Sequence, residues 1–277
     1  MRRLAYLGPP GTFSEEAALR YDATAQHLPF ASEAAVAAAV ESGNADEGVL
    51  AIENSLEGSV TRTLDVLIHE SKLAIRGELI LPIELCLIVQ PGMTADDVRA
   101  VYSHPQPLNQ CRRFIERQFP DARQEASLST AAAVEEMLHV EGGAAIGPAR
   151  AAELHDALIL TRGVQDSPHN ETRFVVVGQA DDAPSGRDKT SIAFTIAHDR
   201  SGTLVEALHE FSDRDINLTK IESRPSREEL GVYIFLVDLE GHRAEPTVAE
   251  ALAAVEANAF FFRILGSYPR FGDARDP

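Results

Sequence analysis

The sequence predicts an α/β protein in two parts, a strand–helix alternating region followed by a smaller unit of ferredoxin-like order. Three observations predict it. From residue 4 to about 178, short apolar runs alternate with Ala-rich amphipathic stretches, the pattern of a largely parallel sheet with crossover helices. Residues 179–188 lack apolar periodicity and are rich in turn formers and charge, so they read as a linker. Beyond them the order is β-α-β-β-α-β, within the span of one small two-layer unit.

The elements follow in order. Strands are expected at 3–7, 47–52, 73–80, 83–90, 100–103, 144–146 and 172–178, each a short apolar run. Helices are expected at 14–20, 33–42, 59–70, 106–118, 130–138 and 148–154, with Ser32 and Ser129 in N-cap positions. After the linker come a strand at 190–197, a helix at 203–212, strands at 217–223 and 232–239, a helix at 247–258 and a strand at 262–267. A unit of this kind leaves a sheet face or edge open, so pairing with another copy is expected.

Acids outnumber bases by 43 to 25, a net charge of −18, which argues against nucleic acid and anionic membranes as partners. Only Lys72, Lys189 and Lys220 are lysines; an acid-rich, lysine-poor chain points to a protein kept soluble in strong salt, a halophilic habitat. Cys86 and Cys111 lie far apart, and the nine histidines show no ligand spacing, so neither a disulfide framework nor a metal site is indicated. The longest apolar stretch, 79–89, is broken by Pro82 and Glu84, and no signal-peptide apolar region precedes Leu4; a cytoplasmic protein is expected.

Five motifs carry candidate chemistry. Gly8-Pro-Pro-Gly-Thr-Phe-Ser-Glu15 joins a strand to a helix, and Thr12 and Ser14 there suit a carboxylate; the loop lacks the Lys of a nucleotide-binding loop and the glycine spacing of a dinucleotide fingerprint. Glu53-Asn-Ser-Leu-Glu-Gly58 places Asn54 and Ser55 at a strand's C-terminal end, where open α/β sheets bind ligands. Tyr102-Ser-His-Pro-Gln-Pro-Leu-Asn-Gln-Cys111 offers Ser103, His104 and Gln106 where a strand closes and a helix begins. Asn170-Glu-Thr-Arg-Phe174 offers Thr172 as a hydrogen-bond donor and Arg173 as a carboxylate clamp. In the C-terminal unit, Asn217-Leu-Thr-Lys-Ile-Glu-Ser-Arg-Pro225 ends a strand in charged residues. Each also reads as an ordinary capped turn or polar strand edge, and spacing alone does not separate the two.

Taken together and in this order, these motifs resemble monofunctional prephenate dehydratases with a C-terminal ACT domain, nearly end to end. The resemblance implies a catalytic domain over 1–180, two-lobed like type II periplasmic binding proteins, a linker at 181–188 and an ACT domain at 189–277. Lobe 1 would hold about 1–77 and 163–180, lobe 2 about 78–162, with hinge crossings near 76–79 and 161–166. It implies conversion of prephenate to phenylpyruvate, water and carbon dioxide in phenylalanine biosynthesis, with no cofactor and no metal. Thr172, Arg173, Phe174, Asn54 and Ser55 would be catalytic; Thr12, Ser14, Ser103, His104, Gln106 and Asn170 would bind substrate. Feedback by L-phenylalanine would act through Gly202, Leu204, Asn217, Leu218, Glu222 and Ser223 in a homodimer or homotetramer. Thr203 stands where such domains often carry Ala, which bears on the shape of the pocket. No chorismate mutase segment precedes Leu4, so a bifunctional enzyme is not expected. An arogenate dehydratase of the same family, or a non-catalytic amino-acid sensor, are the alternative readings.

Overall fold

The computed structural model describes residues 1–196, 201–226 and 231–272. Fifteen strands and nine α-helices are assigned among these residues, and they build three sheets. The first has the order β2 (Gln26–Phe30), β1 (Arg3–Leu7), β3 (Glu47–Asn54), β11 (Glu171–Gly178), β5 (Ala74–Pro82), with the short β4 (Gly58–Ser59) paired to β3. The second has the order β10 (Leu158–Thr161), β6 (Cys86–Val89), β9 (Gly143–Gly147), β7 (Ala100–Ser103), β8 (Arg123–Ala126). It is mixed: β7 runs parallel to β8 and β9, whereas β6 is antiparallel to β9 and β10.

The first passage between sheets falls later than the expected hinge at 76–79. β5 continues in the first sheet through Pro82, and the second sheet is entered only at Cys86. The chain returns between β10 and β11, where Val164 N donates to Leu85 O at 2.9 Å and Ile83 N to Asn170 O at 2.7 Å.

Helices α1 (Phe13–Tyr21), α2 (Glu33–Glu41), α6 (Thr130–Met137) and α7 (Ala149–Leu154) follow strands, as the alternation predicts. Ser129 and Ser32 cap as expected, accepting from Ala132 N at 3.0 Å and Ala35 N at 3.2 Å. Two expected helices are broken. The first becomes α3 (Thr61–Asp65) followed by a π-helical turn, Val66–Glu70. The second becomes α4 (Pro105–Gln110) and α5 (Arg112–Gln118), because the Asp166 carboxylate accepts from Arg113 N at 3.0 Å and Phe114 N at 3.2 Å and so starts a new helix after Cys111.

The third sheet has the order β13 (Leu218–Pro225), β14 (Tyr233–Glu240), β12 (Asp188–Ile196), β15 (Ala259–Pro269). With α8 (Thr203–Ser212) and α9 (Pro246–Asn258) it forms the expected βαββαβ unit, all its pairings antiparallel. Ile192, Phe194, Phe211, Val237, Leu252 and Val255 make the core between helices and sheet. The acidic tail residues Asp273 and Asp276, and Ala197 at the end of the first expected C-terminal strand, lie outside the described residues.

By packing, the chain forms two compact units. One comprises Met1–Val36, Val49–Val60 and Ile80–Phe174; the other comprises Ala37–Gly48, Thr61–Leu79 and Val175–Pro277. In the second unit, Gly266 of β15 lies so close to β5 that a Cβ there would stand 2.0 Å from Ile75 O. No helix among the described residues is long and apolar enough to cross a membrane.

Candidate functional site

A cluster of buried polar side chains forms where β3 ends and β11 begins. Asn54, buried, donates from Nδ2 to Thr172 Oγ1 at 2.9 Å, to Asn170 Oδ1 at 2.8 Å and to Glu171 O at 3.2 Å. Its Oδ1 accepts from Leu56 N at 3.0 Å and Glu57 N at 3.1 Å, so backbone amides fix which way the side-chain amide points. Thr172 Oγ1 is thus held as an acceptor, and its hydroxyl hydrogen is left to donate elsewhere.

The cluster extends to α4. Asn170 Nδ2 donates to Gln110 Oε1 at 3.0 Å, and Gln110 Nε2 to Glu57 Oε1 at 3.3 Å. Asp166 N donates to Gln110 O at 2.8 Å, which ties the same helix end to the returning loop. Cys111 beside it is buried, and burial, with the charge of Asp166, pushes its thiol up to about 12.

Ser55 and Ser103 are engaged in joining strands. Ser55 Oγ donates to His169 O at 3.1 Å and accepts from Glu171 N at 3.0 Å, while Ser55 N donates to Glu171 O at 2.8 Å. Ser103 is fully buried and donates to Ile146 O at 2.6 Å. His104 is the N-cap of α4, its Nδ1 accepting from Gln106 N at 3.4 Å. Gln106 itself is exposed.

At the first motif, Thr12 caps α1 and donates to Pro9 O at 3.1 Å, with Ser14 half-buried in the first turn. Gly11, at φ +84°, approaches Ala151 and Ala131 so closely that a Cβ would stand 3.3 Å from Ala151 Cα. Glu15 accepts from Gly11 N at 2.7 Å, and Arg150 Nε lies 3.5 Å from the same oxygen. The loop is therefore held by its own helix and pressed against α6 and α7.

Arg173 does not join Thr172. Successive strand residues face opposite sides, so Thr172 and Phe174 share one face of β11, and Arg173 has the other. There its Nη1 lies 3.6 Å from Glu53 Oε2, on the face of β3 opposite to Asn54. The clamp expected of Arg173 thus already holds a carboxylate of the chain itself. Phe174 is a core side chain, 1% exposed.

In the C-terminal unit, Gly202 is the N-cap of α8 at φ +91°, and Leu204, half-buried, packs on the core. Asn217 is exposed; Leu218 lies opposite Leu239 in the register and, with Val205, Leu208 and Ile216, lines a groove of about 220 Å³. Glu222 pairs with Lys220 at 3.4 Å, and Ser223, exposed, lies on the opposite face of β13.

The model of the prephenate dehydratase family matches residues 4–182, and the ACT domain model matches 190–257. The chain belongs to the prephenate dehydratase family. It carries that family's domain together with an ACT domain, on the α/β fold the sequence predicts. A prephenate dehydratase of Mycobacterium sp. (strain JLS) is 40% identical over 97% of this chain and 89% of its own length. A bifunctional chorismate mutase/prephenate dehydratase of Aquifex aeolicus is 42% identical, over 97% of this chain and 74% of its own. Among solved structures, the prephenate dehydratase of Arthrobacter aurescens in complex with L-Phe superposes with a TM-score of 0.89 at 34% identity, over 97% of this chain and 90% of that one. A protein described as a novel type of quorum quenching acylase superposes at 0.86 and 32% identity, over 97% and 98%.

Within this family frame, the structure brings together Asn54, Asn170 and Thr172, and adds Gln110 and Glu57, to which spacing assigned no role. Gln110 stands in the third motif, but only the fold of α4 against the returning loop reveals its partner. No group of three or more His, Cys, Asp or Glu is arranged to hold a metal among the described residues.

Proposed function

We propose that the chain converts prephenate to phenylpyruvate at the Asn54–Thr172 cluster, and that phenylalanine bound at the ACT domain slows the reaction. The observation that carries the first part is the hydrogen bond from Asn54 Nδ2 to Thr172 Oγ1, which frees the Thr172 hydroxyl hydrogen for a ligand. As the ring carboxylate of prephenate leaves as carbon dioxide, its bonding pair moves into the ring. The carbon–oxygen bond of the ring hydroxyl breaks, and that hydroxyl takes a proton and departs as water. Aromatisation drives the step, so it needs neither oxidant nor covalent nucleophile. A threonine hydroxyl is a weak acid; Thr172 therefore polarises the departing oxygen, and the proton arrives through a water. Thr12, Ser14, His104, Gln106 and Asn170 are the candidate contacts for the substrate's carboxylates and remaining polar atoms.

Acylase chemistry of the kind named for one structural relative finds little support in these residues. The Ser55 and Ser103 hydroxyls donate to backbone carbonyls rather than to a base. Burial pushes the Cys86 and Cys111 thiols up to about 11 and about 12.

Regulation is proposed for Gly202, Leu204, Asn217, Leu218, Glu222 and Ser223, in an assembly of two or four copies paired through ACT domains. β13 is an edge strand, and Ile221 and Tyr233 near it are about half exposed, which supports such pairing. Residues 1–180 and 189–277 are the proposed catalytic and regulatory segments, in a cytoplasmic enzyme. Phenylpyruvate formation from prephenate, with and without phenylalanine, tests both parts. Thr172→Val is expected to lower kcat by about a hundredfold or more and leave KM nearly unchanged. An unchanged kcat in the folded variant removes Thr172 from the mechanism.

A further inference from the structure

The second unit holds a buried ion pair with no part in the chemistry above. Arg224, in the Glu222-Ser-Arg-Pro225 segment of β13, meets Asp65, the residue at which α3 passes into the π-helical turn. Asp65 is 3% exposed and Arg224 9%. Arg224 engages Asp65 through Nη2, while its Nη1 is buried without a hydrogen-bond partner among the described residues. A guanidinium buried with a donor unused is costly and has a second way to sit against a carboxylate.

The far end of the same turn is held by a second arginine. Arg263 of β15 donates from Nη1 to Ile68 O at 3.0 Å and from Nη2 to Ser71 O. A π turn, whose i→i+5 bonds are seldom sustained in isolation, is thus gripped at both ends by strands of the ACT sheet. In sequence, Arg224 directly follows Ser223 and lies on the same strand face as Glu222. Asp65 closes the short helix that follows β4, and β4 itself pairs Gly58 with Asn54.

Resting on the regulatory reading given above, we propose that the Arg224–Asp65 pair is the coupling element through which phenylalanine at Glu222 and Ser223 alters activity at Asn54 and Thr172. Ligand contact with the strand shifts Arg224 relative to Asp65, the π turn and α3 follow, and the loop carrying Asn54 is reached through the chain itself. Arg224 and Asp65 act as positioning residues and touch no substrate.

The test uses the full chain with L-phenylalanine and prephenate. The double variant Asp65→Asn/Arg224→Gln keeps a hydrogen-bonding pair of similar size and removes both charges. Three quantities are read: the Kd for phenylalanine by calorimetry, kcat/KM without phenylalanine, and kcat/KM at saturating phenylalanine. The first two are expected within about threefold of the unmodified chain, while the inhibition ratio falls by about tenfold or more, a normal size for an allosteric coupling. A folded variant that binds phenylalanine and is inhibited as fully as the unmodified chain overturns the proposal. Loss of phenylalanine binding in the variant also overturns it, because the pair would then belong to the pocket. If the unmodified chain binds no phenylalanine, the regulatory reading itself fails, and that result needs no variant. Should the double variant not fold, Arg263→Gln releases the other end of the turn and carries the same expectations and the same refutation.

Discussion

Asn54→Asp is the most informative single substitution, because it changes one atom of the cluster and nothing of its size. The carboxylate still accepts from Leu56 N and Glu57 N, but the three Nδ2 contacts to Asn170 Oδ1, Glu171 O and Thr172 Oγ1 lose their donor. Acceptors left unsatisfied in a buried site cost about 1–3 kcal/mol each. Thr172 recovers part of this by turning its hydroxyl toward the new carboxylate, so a net loss of about 2–4 kcal/mol is expected, within the stability of an ordinary domain. In the proposed role of Thr172, that same turn withdraws its hydroxyl hydrogen from the substrate. Losing one preorganised donor to the departing oxygen costs about a hundred- to a thousandfold in kcat, or about 2.7–4 kcal/mol of barrier, while KM changes little. The sign with pH follows from the substitution: protonating the carboxyl restores one donor, so the ratio of variant to unmodified kcat rises as pH falls. Steady-state phenylpyruvate formation across a pH series, with thermal unfolding as the control for folding, measures all of this. A kcat at neutral pH equal to that of the unmodified chain would refute the reasoning, as would a ratio that falls toward acid.

Further outcomes follow from the same geometry. Gly266→Ala places a Cβ 2.0 Å from Ile75 O at φ +151°, against backbone that cannot swing aside; a loss of about 3–5 kcal/mol is expected, read from chemical denaturation. With thiols pushed by burial up to about 11 and about 12, Cys86 and Cys111 are expected to resist a thiol reagent at pH 8 in the folded chain and to react on unfolding. Rapid labelling of Cys86 in the native protein would show that the second sheet opens, and of Cys111 that the α4–α5 junction does. The charge of −18 predicts loss of activity or structure at low salt, since screening shortens from about 10 Å at 0.1 M to about 3 Å at 1 M. Full activity without added salt would make the acidity compositional only.

Internal strands and capped helices were legible in the sequence because burial writes them there. β1, β3, β6, β9 and β11 are apolar runs, since each lies inside its sheet, and the edge strand β5 still shows Ile75, Leu79 and Leu81, its buried residues, at alternate positions. Besides the two-residue β4, where a helix start was expected at 59, three strands were not legible. Gln26-His-Leu-Pro-Phe30 carries a proline and stands at a sheet edge; Arg123-Gln-Glu-Ala126 is polar and also at an edge; Leu158–Thr161 is a short edge strand. Such strands take their conformation from the neighbour they pair with, and their own side chains say little about it.

The site divides in the same way. Residue types and their order along the chain identified the family, and the motifs that carry the resemblance placed Asn54, Asn170 and Thr172 among the candidates. That Asn54 holds Thr172 across 118 positions of the chain and that Arg173 turns away to Glu53 were decided only by the pairing of β3 with β11, and that Gln110 closes the cluster by the packing of α4 beside Asn170. The split of the long helix at Cys111 and the gripped π turn after Asp65 likewise depend on distant partners, Asp166, Arg224 and Arg263. Local sequence records what each residue offers. Which offer is taken depends on hydrogen-bond geometry within a few ångströms, and that geometry exists only once segments far apart in the chain have packed together.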